Sequence, residues 1–93
     1  MIRSFRDKRT AALFQGIIAK GVPTGLAERA KIKLLMLDAA VSLDDLRVPP
    51  GNRLEKLSGR RAGQHSIRVN EQWRLCFRWR DGGADDVEFV DYH

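Results

Sequence analysis

From residue 73 to residue 80 the chain reads Trp-Arg-Leu-Cys-Phe-Arg-Trp-Arg. Trp73, Leu75, Phe77 and Trp79 recur at every second position, with Arg74, Cys76, Arg78 and Arg80 between them. A period of two belongs to a β-strand, whose successive side chains point to opposite faces. Four large apolar side chains on one face demand a covering layer. The arginines on the other face demand water or an anion. The stretch therefore predicts a sheet covered on one side only, with an open basic face.

The helices that cover it must come from upstream. Asp7 is placed to N-cap a helix to about Lys20, with Ala11, Leu13, Phe14, Ile17 and Ile18 as its apolar side and Gly21 ending it. Thr24 is read as a second N-cap. Ala27, Ala30, Leu34 and Leu37 then recur at helical spacing, with Glu28, Arg29, Lys31 and Lys33 toward water. Ser42 with Asp45 resembles a capping box opening one short turn, and the Pro and Gly of residues 48–52 predict a loop. His65, Ile67 and Val69 alternate in a strand before a turn near Asn70 and Glu71. Asp81, Gly82 and Gly83 signal a hairpin, and Val87 and Phe89 carry a last strand. Ile2–Phe5 is read as a short first strand. The expected fold is α+β: an N-terminal strand, two helices on one face of a small twisted antiparallel sheet, and three or four strands in a meander. Residues 1–93 are read as one domain.

The charge is unevenly spread. Residues 53–80 hold eight Lys or Arg against Glu55 and Glu71, whereas residues 81–93 hold five acids and no Lys or Arg. With a sequence pI near 10.0, this predicts a polyanion-binding surface edged by carboxylates. The longest apolar run, Leu34 to Leu37, is far below the roughly 20 residues that span a bilayer. The charged start predicts no signal peptide. One cysteine, Cys76, excludes an internal disulfide and a Cys-rich zinc site. These features point to the cytoplasm and away from membranes.

No phosphate-cradling glycine loop, metal-spaced histidine pair or nucleophile elbow is present. No cofactor or metal is expected. The remaining candidates are Glu55, Lys56, Arg60, Arg61, Arg74, Asp91, Tyr92 and His93. Such groups suit RNA cleavage by the neighbouring 2′-OH, which needs a base, an acid, cations on the phosphate, and a ring to hold the nucleobase. Binding without catalysis uses the same cations, so a nucleic-acid-binding module remains an alternative.

The run "NRLEKLSGRRAGQHSIRVNEQWRLCFRW", a terminal "DYH", the start "MIRSFRDK" and the "LDAA" closing the second helix resemble the HigB branch of the RelE/ParE toxin superfamily. The resemblance covers nearly the whole chain. It implies a toxin of a type II toxin–antitoxin pair that cuts mRNA in the ribosomal A site without a metal. It also implies a helix-turn-helix, HigA-like antitoxin, through which alone DNA would be met. Asp91, Tyr92 and His93 would belong to the active site, and Arg74 to the catalytic face. His93 is the expected general acid, and Asp91 or Glu55 the base. Lys56, Arg60, Arg61, Arg78 and Arg80 are expected on RNA or ribosome. Glu55 stands where some relatives have histidine, and His65 where many have tryptophan. His65 shares the parity of Ile67 and Val69, which predicts a satisfied core histidine. A ParE-like gyrase poison is the alternative within the superfamily.

Overall fold

The computed structural model describes residues 1–18 and 20–92. Helix α1 spans Lys8–Phe14 and α2 spans Thr24–Ala39; short 3-10 turns follow at Leu43–Arg47 and Pro50–Asn52. Strands β1 (Glu55–Lys56), β2 (His65–Arg68), β3 (Trp73–Arg80) and β4 (Gly83–Asp91) form one antiparallel meander in that order. The architecture is the α+β arrangement expected, with the helices on one face. No helix among the described residues is long and apolar enough to cross a membrane.

The core lies where the period-two strand required it. Leu75 and Phe77 of β3 and Val87 and Phe89 of β4 are fully buried, facing Leu13 of α1 and Ala30, Leu34 and Leu37 of α2. Trp73 and Trp79 pack at the two ends of this core, and the Trp73 ring stacks on Phe89 at 4.5 Å between centroids. Asp81 and Gly82 both have positive φ (49° and 73°), which makes the tight turn joining β3 to β4.

Asp7 caps α1, its carboxylate accepting from the Thr10 amide at 2.7 Å. The helix stops well before Lys20. Gly16 adopts φ 83°, its amide donates to the Leu13 carbonyl, and the Ile17 amide donates to the Ala12 carbonyl. That pair of bonds is a Schellman motif, so the terminating glycine is Gly16 rather than Gly21. Ile17 and Ile18 fall beyond the helix and stay 56% and 53% exposed. At α2, Pro23 occupies the N-cap position without a side-chain bond, and Thr24 is already helical. Ser42 and Asp45 form the expected capping box.

The first strand is reduced to two isolated parallel bridges, Ile2 with Ala84 and Phe5 with Val87. The reason lies in β4, which bulges: the register against β3 shifts between Cys76 and Arg78, and Asp86 has φ 53°. The Asp86 amide turns to the Ser4 hydroxyl at 2.8 Å, which interrupts the ladder.

Candidate active site

Strand pairing sorts the candidates by face. Arg74 is opposite Arg68 and Val90, Cys76 is opposite Ser66, and Ser66 is opposite Glu55. Directly opposed residues share a face, so Glu55, Ser66, Arg68 and Arg74 all stand on the side away from the helices. Lys56 is opposite His65, which puts its side chain on the other side of the two-residue strand.

Arg74 is not a solvated cation on this face; it is only 8% exposed. Its Nε donates to Ser66 Oγ at 2.7 Å, and Nη2 donates to the Arg53 carbonyl at 2.6 Å. Nη2 also stands 3.9 Å from the Glu55 carboxylate. Arg74 thus ties β3 to β2 and to the turn at Arg53, whose backbone is left-handed (φ 45°, ψ 57°). Around this strut lies an open depression of about 360 Å³, lined by Arg53, Glu55, Arg68, Asn70, Glu71, Arg74 and Tyr92. Three guanidinium groups against two carboxylates make it cationic. A half-exposed carboxylate, Glu55, stands beside an arginine, and a phenol closes one side. The basin offers guanidinium donors for a phosphate, a carboxylate beside them and a ring for stacking.

The chain end is divided between faces. Tyr92 reaches the depression, its amide donating to the Gln72 carbonyl at 2.7 Å. Asp91 is opposite Trp73 and keeps the parity of Phe89, and its Oδ2 accepts from Gln72 Nε2 at 2.8 Å. The regular pairing of β4 through Asp91 therefore separates Asp91 from Glu55 and Arg74. His93 lies outside the described residues.

The remaining basic candidates do not gather in the depression. Arg61 pairs with Glu88 at 3.1 Å, Arg78 with Asp86 at 3.8 Å, and Arg80 with Asp85 at 3.1 Å. The acids of β4 are thus interleaved with the arginines instead of edging them. Arg80 lies six residues along β3 from Arg74, about 20 Å at strand rise. Arg60 and Arg61 border a separate depression with Arg6, Gln64 and Glu88.

Arg53, Arg68, Asn70 and Glu71 are the lining residues that sequence reasoning missed, the last two having been read only as a turn. Arg68 was accessible, since it has the parity of Ser66 and opposes Ile67 and Val69. Arg53 had no such signal, because a loop places it. His65 departs from expectation: its ring stacks near Phe77, but its buried Nδ1 has no hydrogen-bond partner. Burial, then the nearby charges of Lys56 and Arg47, push its pKa down. Cys76 is fully buried, and burial pushes its thiol up despite Arg61 and Arg74 nearby. That argues against a nucleophile. Among the described residues, no three His, Cys, Asp or Glu side chains gather to hold a metal ion.

Two helices on one face of a small antiparallel meander are a fold with a solved relative. A chain of the YoeB–YefM complex from Staphylococcus aureus matches over all of this chain and 98% of its own, with TM-score 0.63 and 15% identity. That likeness establishes the fold. The sequence establishes the family. Residues 3–93 match the model of the RelE-like toxin of type II toxin–antitoxin system HigB, and the chain belongs to that family. It is 51% identical over 72 residues to Toxin HigB-1 of Vibrio cholerae serotype O1, covering 77% of this chain and 75% of that protein. It is 33% identical to Endoribonuclease HigB of Proteus vulgaris over the whole of both chains. As the toxin of a toxin–antitoxin system, the chain has an antitoxin partner.

Proposed function

We propose that this chain is an endoribonuclease toxin that cleaves mRNA in the ribosomal A site through 2′-OH attack, with no metal, and so stops translation in the cytoplasm. Residues 1–93 act as one toxin domain, silenced by a helix-turn-helix antitoxin. The observation that carries the reading is the basin in which Arg53, Arg68 and Arg74 surround Glu55 and Tyr92. The full-length likeness to an endoribonuclease of the same family supports it.

In the mechanism, Arg53 and Arg68 bind the non-bridging oxygens of the scissile phosphate. Glu55 takes the proton from the 2′-OH as that oxygen attacks phosphorus. The 5′ oxygen leaves with a proton from His93, giving a 2′,3′-cyclic phosphate and a 5′-OH. Glu55 is preferred to Asp91 as the base because it lines the basin and Asp91 is directed across the sheet. Arg74 steadies the basin and places its charge beside Glu55. Tyr92 stacks on a base of the codon. Arg60, Arg61, Arg78 and Arg80 stand outside the basin and meet ribosomal RNA instead.

Expression of the wild type, Glu55→Gln, Tyr92→Ala and His93→Gln forms tests the reading by primer extension on cellular transcripts. Cuts within codons are expected for the wild type, with loss of at least about a hundredfold for Glu55→Gln and His93→Gln. Intact transcripts accompanied by double-strand DNA breaks would instead indicate gyrase poisoning. RNA binding that survives every substitution, without cuts, would indicate a binding module.

A further inference from the structure

The basin does not end at its own rim. Arg68, Asn70 and Glu71, which line it, also line a second depression of about 430 Å³ whose remaining walls are Arg29 and Gln72. The two depressions adjoin across the turn between β2 and β3, and the second reaches α2 at Arg29. The turn between them is fixed by its own side chains. Asn70 Oδ1 accepts from the amides of Gln72 and Trp73 at 2.8 and 2.7 Å, and the Asn70 carbonyl accepts from Arg68 Nε at 3.1 Å. That last bond holds the Arg68 guanidinium where the depressions meet.

Arg29 is exposed, and among the described residues it forms no hydrogen bond or ion pair. One helical turn on stands Lys33, a like charge at a spacing that destabilises a helix. Burial, then the Arg29 charge, push the Lys33 ammonium below its usual pKa. Lys33 is engaged in structure. Its Nζ donates to Asn52 Oδ1 at 2.6 Å, and the Asn52 side-chain amide donates to the Leu46 carbonyl at 3.2 Å. Asn52 immediately precedes Arg53, a lining residue of the basin. Helix α2 therefore carries Arg29 and also anchors the turn that delivers Arg53, so cations of both depressions are mounted on one rigid element.

We propose that the second depression is a subsite for the neighbouring nucleotide of the RNA, in which Arg29 binds the phosphate next to the scissile one. The inference rests on the assignment of RNA cleavage to the basin and adds the path of the strand, over the β2–β3 turn toward α2. Every lining residue is polar, and Glu71 is set against two guanidinium groups. A docking peptide finds no apolar wall there for an anchor, whereas guanidinium and side-chain amide donors are what a sugar–phosphate backbone takes. The three residues shared with the basin favour the strand being cut over a separate ribosomal strand. Arg29 is then a positioning residue: it holds the RNA in register so that the reacting 2′-OH meets Glu55.

The test reads binding instead of cleavage. The full chain is titrated with 2′-deoxy oligonucleotides of mixed sequence, which lack the attacking hydroxyl: a dinucleotide with one phosphate and a tetranucleotide with three. Arg29→Gln and Arg29→Lys are compared with the wild type and with Arg47→Gln, which removes an exposed cation outside both depressions. Circular dichroism and thermal melting verify folding, which is expected to persist because each altered side chain is exposed. The wild type should bind the tetranucleotide more tightly than the dinucleotide. Arg29→Gln should weaken tetranucleotide binding about fivefold and lower the slope of the log–log salt dependence by about 0.7, one phosphate's worth for a single strand. It should bind the dinucleotide normally. Arg29→Lys should keep the wild-type salt slope, and Arg47→Gln should match the wild type throughout.

Unchanged tetranucleotide binding in Arg29→Gln would overturn the proposal. So would equal weakening of both lengths, which would mark a diffuse charge effect. Weaker binding to ribosomes free of mRNA, with tetranucleotide binding intact, would assign Arg29 to ribosomal RNA, and a loss confined to antitoxin affinity would assign it to the antitoxin; either result removes the subsite. A wild type that binds the dinucleotide but gains nothing from length would strike the subsite alone. A wild type that binds neither would strike the basin and the subsite together. Absence of RNA cleavage bears on the proposed reaction and leaves these binding outcomes readable.

Discussion

At the scale of single residues, two side chains differ most from what their type suggests. Arg74 is a cation used as a strut. It satisfies the Ser66 hydroxyl and the Arg53 carbonyl while almost out of water. Arg74→Ala leaves those groups short of a partner, and hydrogen bonds to charged groups contribute roughly 1.5–3 kcal/mol. Urea unfolding should show a loss in that range, and Ser66→Ala a smaller one of about 1 kcal/mol. His65 is the second. Its pKa is depressed in the folded chain by burial and by the charges of Lys56 and Arg47. The unfolded chain therefore binds the proton more readily, and stability rises with pH through the window below 6.5. His65 contributes no penalty above its ordinary value and an increasing one as pH falls below it. Thermal melts from pH 7.5 to 5 should show a declining midpoint that flattens in His65→Phe. An equally steep decline in that variant would assign the effect to other groups.

At the scale of elements, the period-two stretch of β3 made the sheet, its covered face and its open face legible before any coordinates. The helices were legible in kind but not in extent. Ile17 and Ile18 continued an apolar pattern that α1 does not follow, because the Gly16 turn outweighs periodicity. The bulge at Asp86 was invisible, since it depends on contact with Ser4, which is 82 residues away. Of the residues that line the basin, Glu55, Arg74 and Tyr92 were candidates on residue chemistry and family resemblance. Lys56 was grouped with them because a two-residue strand has too little pattern to show its alternation. Loop placement hid Arg53. Asp7→Ala removes the cap of α1 and should cost about 1 kcal/mol in chemical denaturation. Glu88, held by Arg61 and Arg6, masks cations that could meet RNA. Glu88→Gln should tighten RNA binding at low salt and steepen the log–log salt dependence by up to about 0.7, one phosphate's worth for a single strand.

At the scale of the whole molecule, one thin core supports the basic basin on the sheet. Leu34 is fully buried between α2 and the sheet, so Leu34→Ala should cost about 2–5 kcal/mol. That is a large share of the stability of a domain this size. Such a variant should lose toxicity and antitoxin binding together, as judged by melting and pull-down. Glu55→Gln in the basin should instead lower toxicity with the melting midpoint little changed. The segment of residues 2–5 has a further effect. It runs along β4 and takes up the Ala84 and Val87 backbone groups that a lateral strand would otherwise seek. The opposite margin, β1, is only two residues long. Among the described residues, neither border of the sheet offers a sustained row of unpaired amides and carbonyls, so neighbouring copies of the chain have little backbone template on which to polymerise.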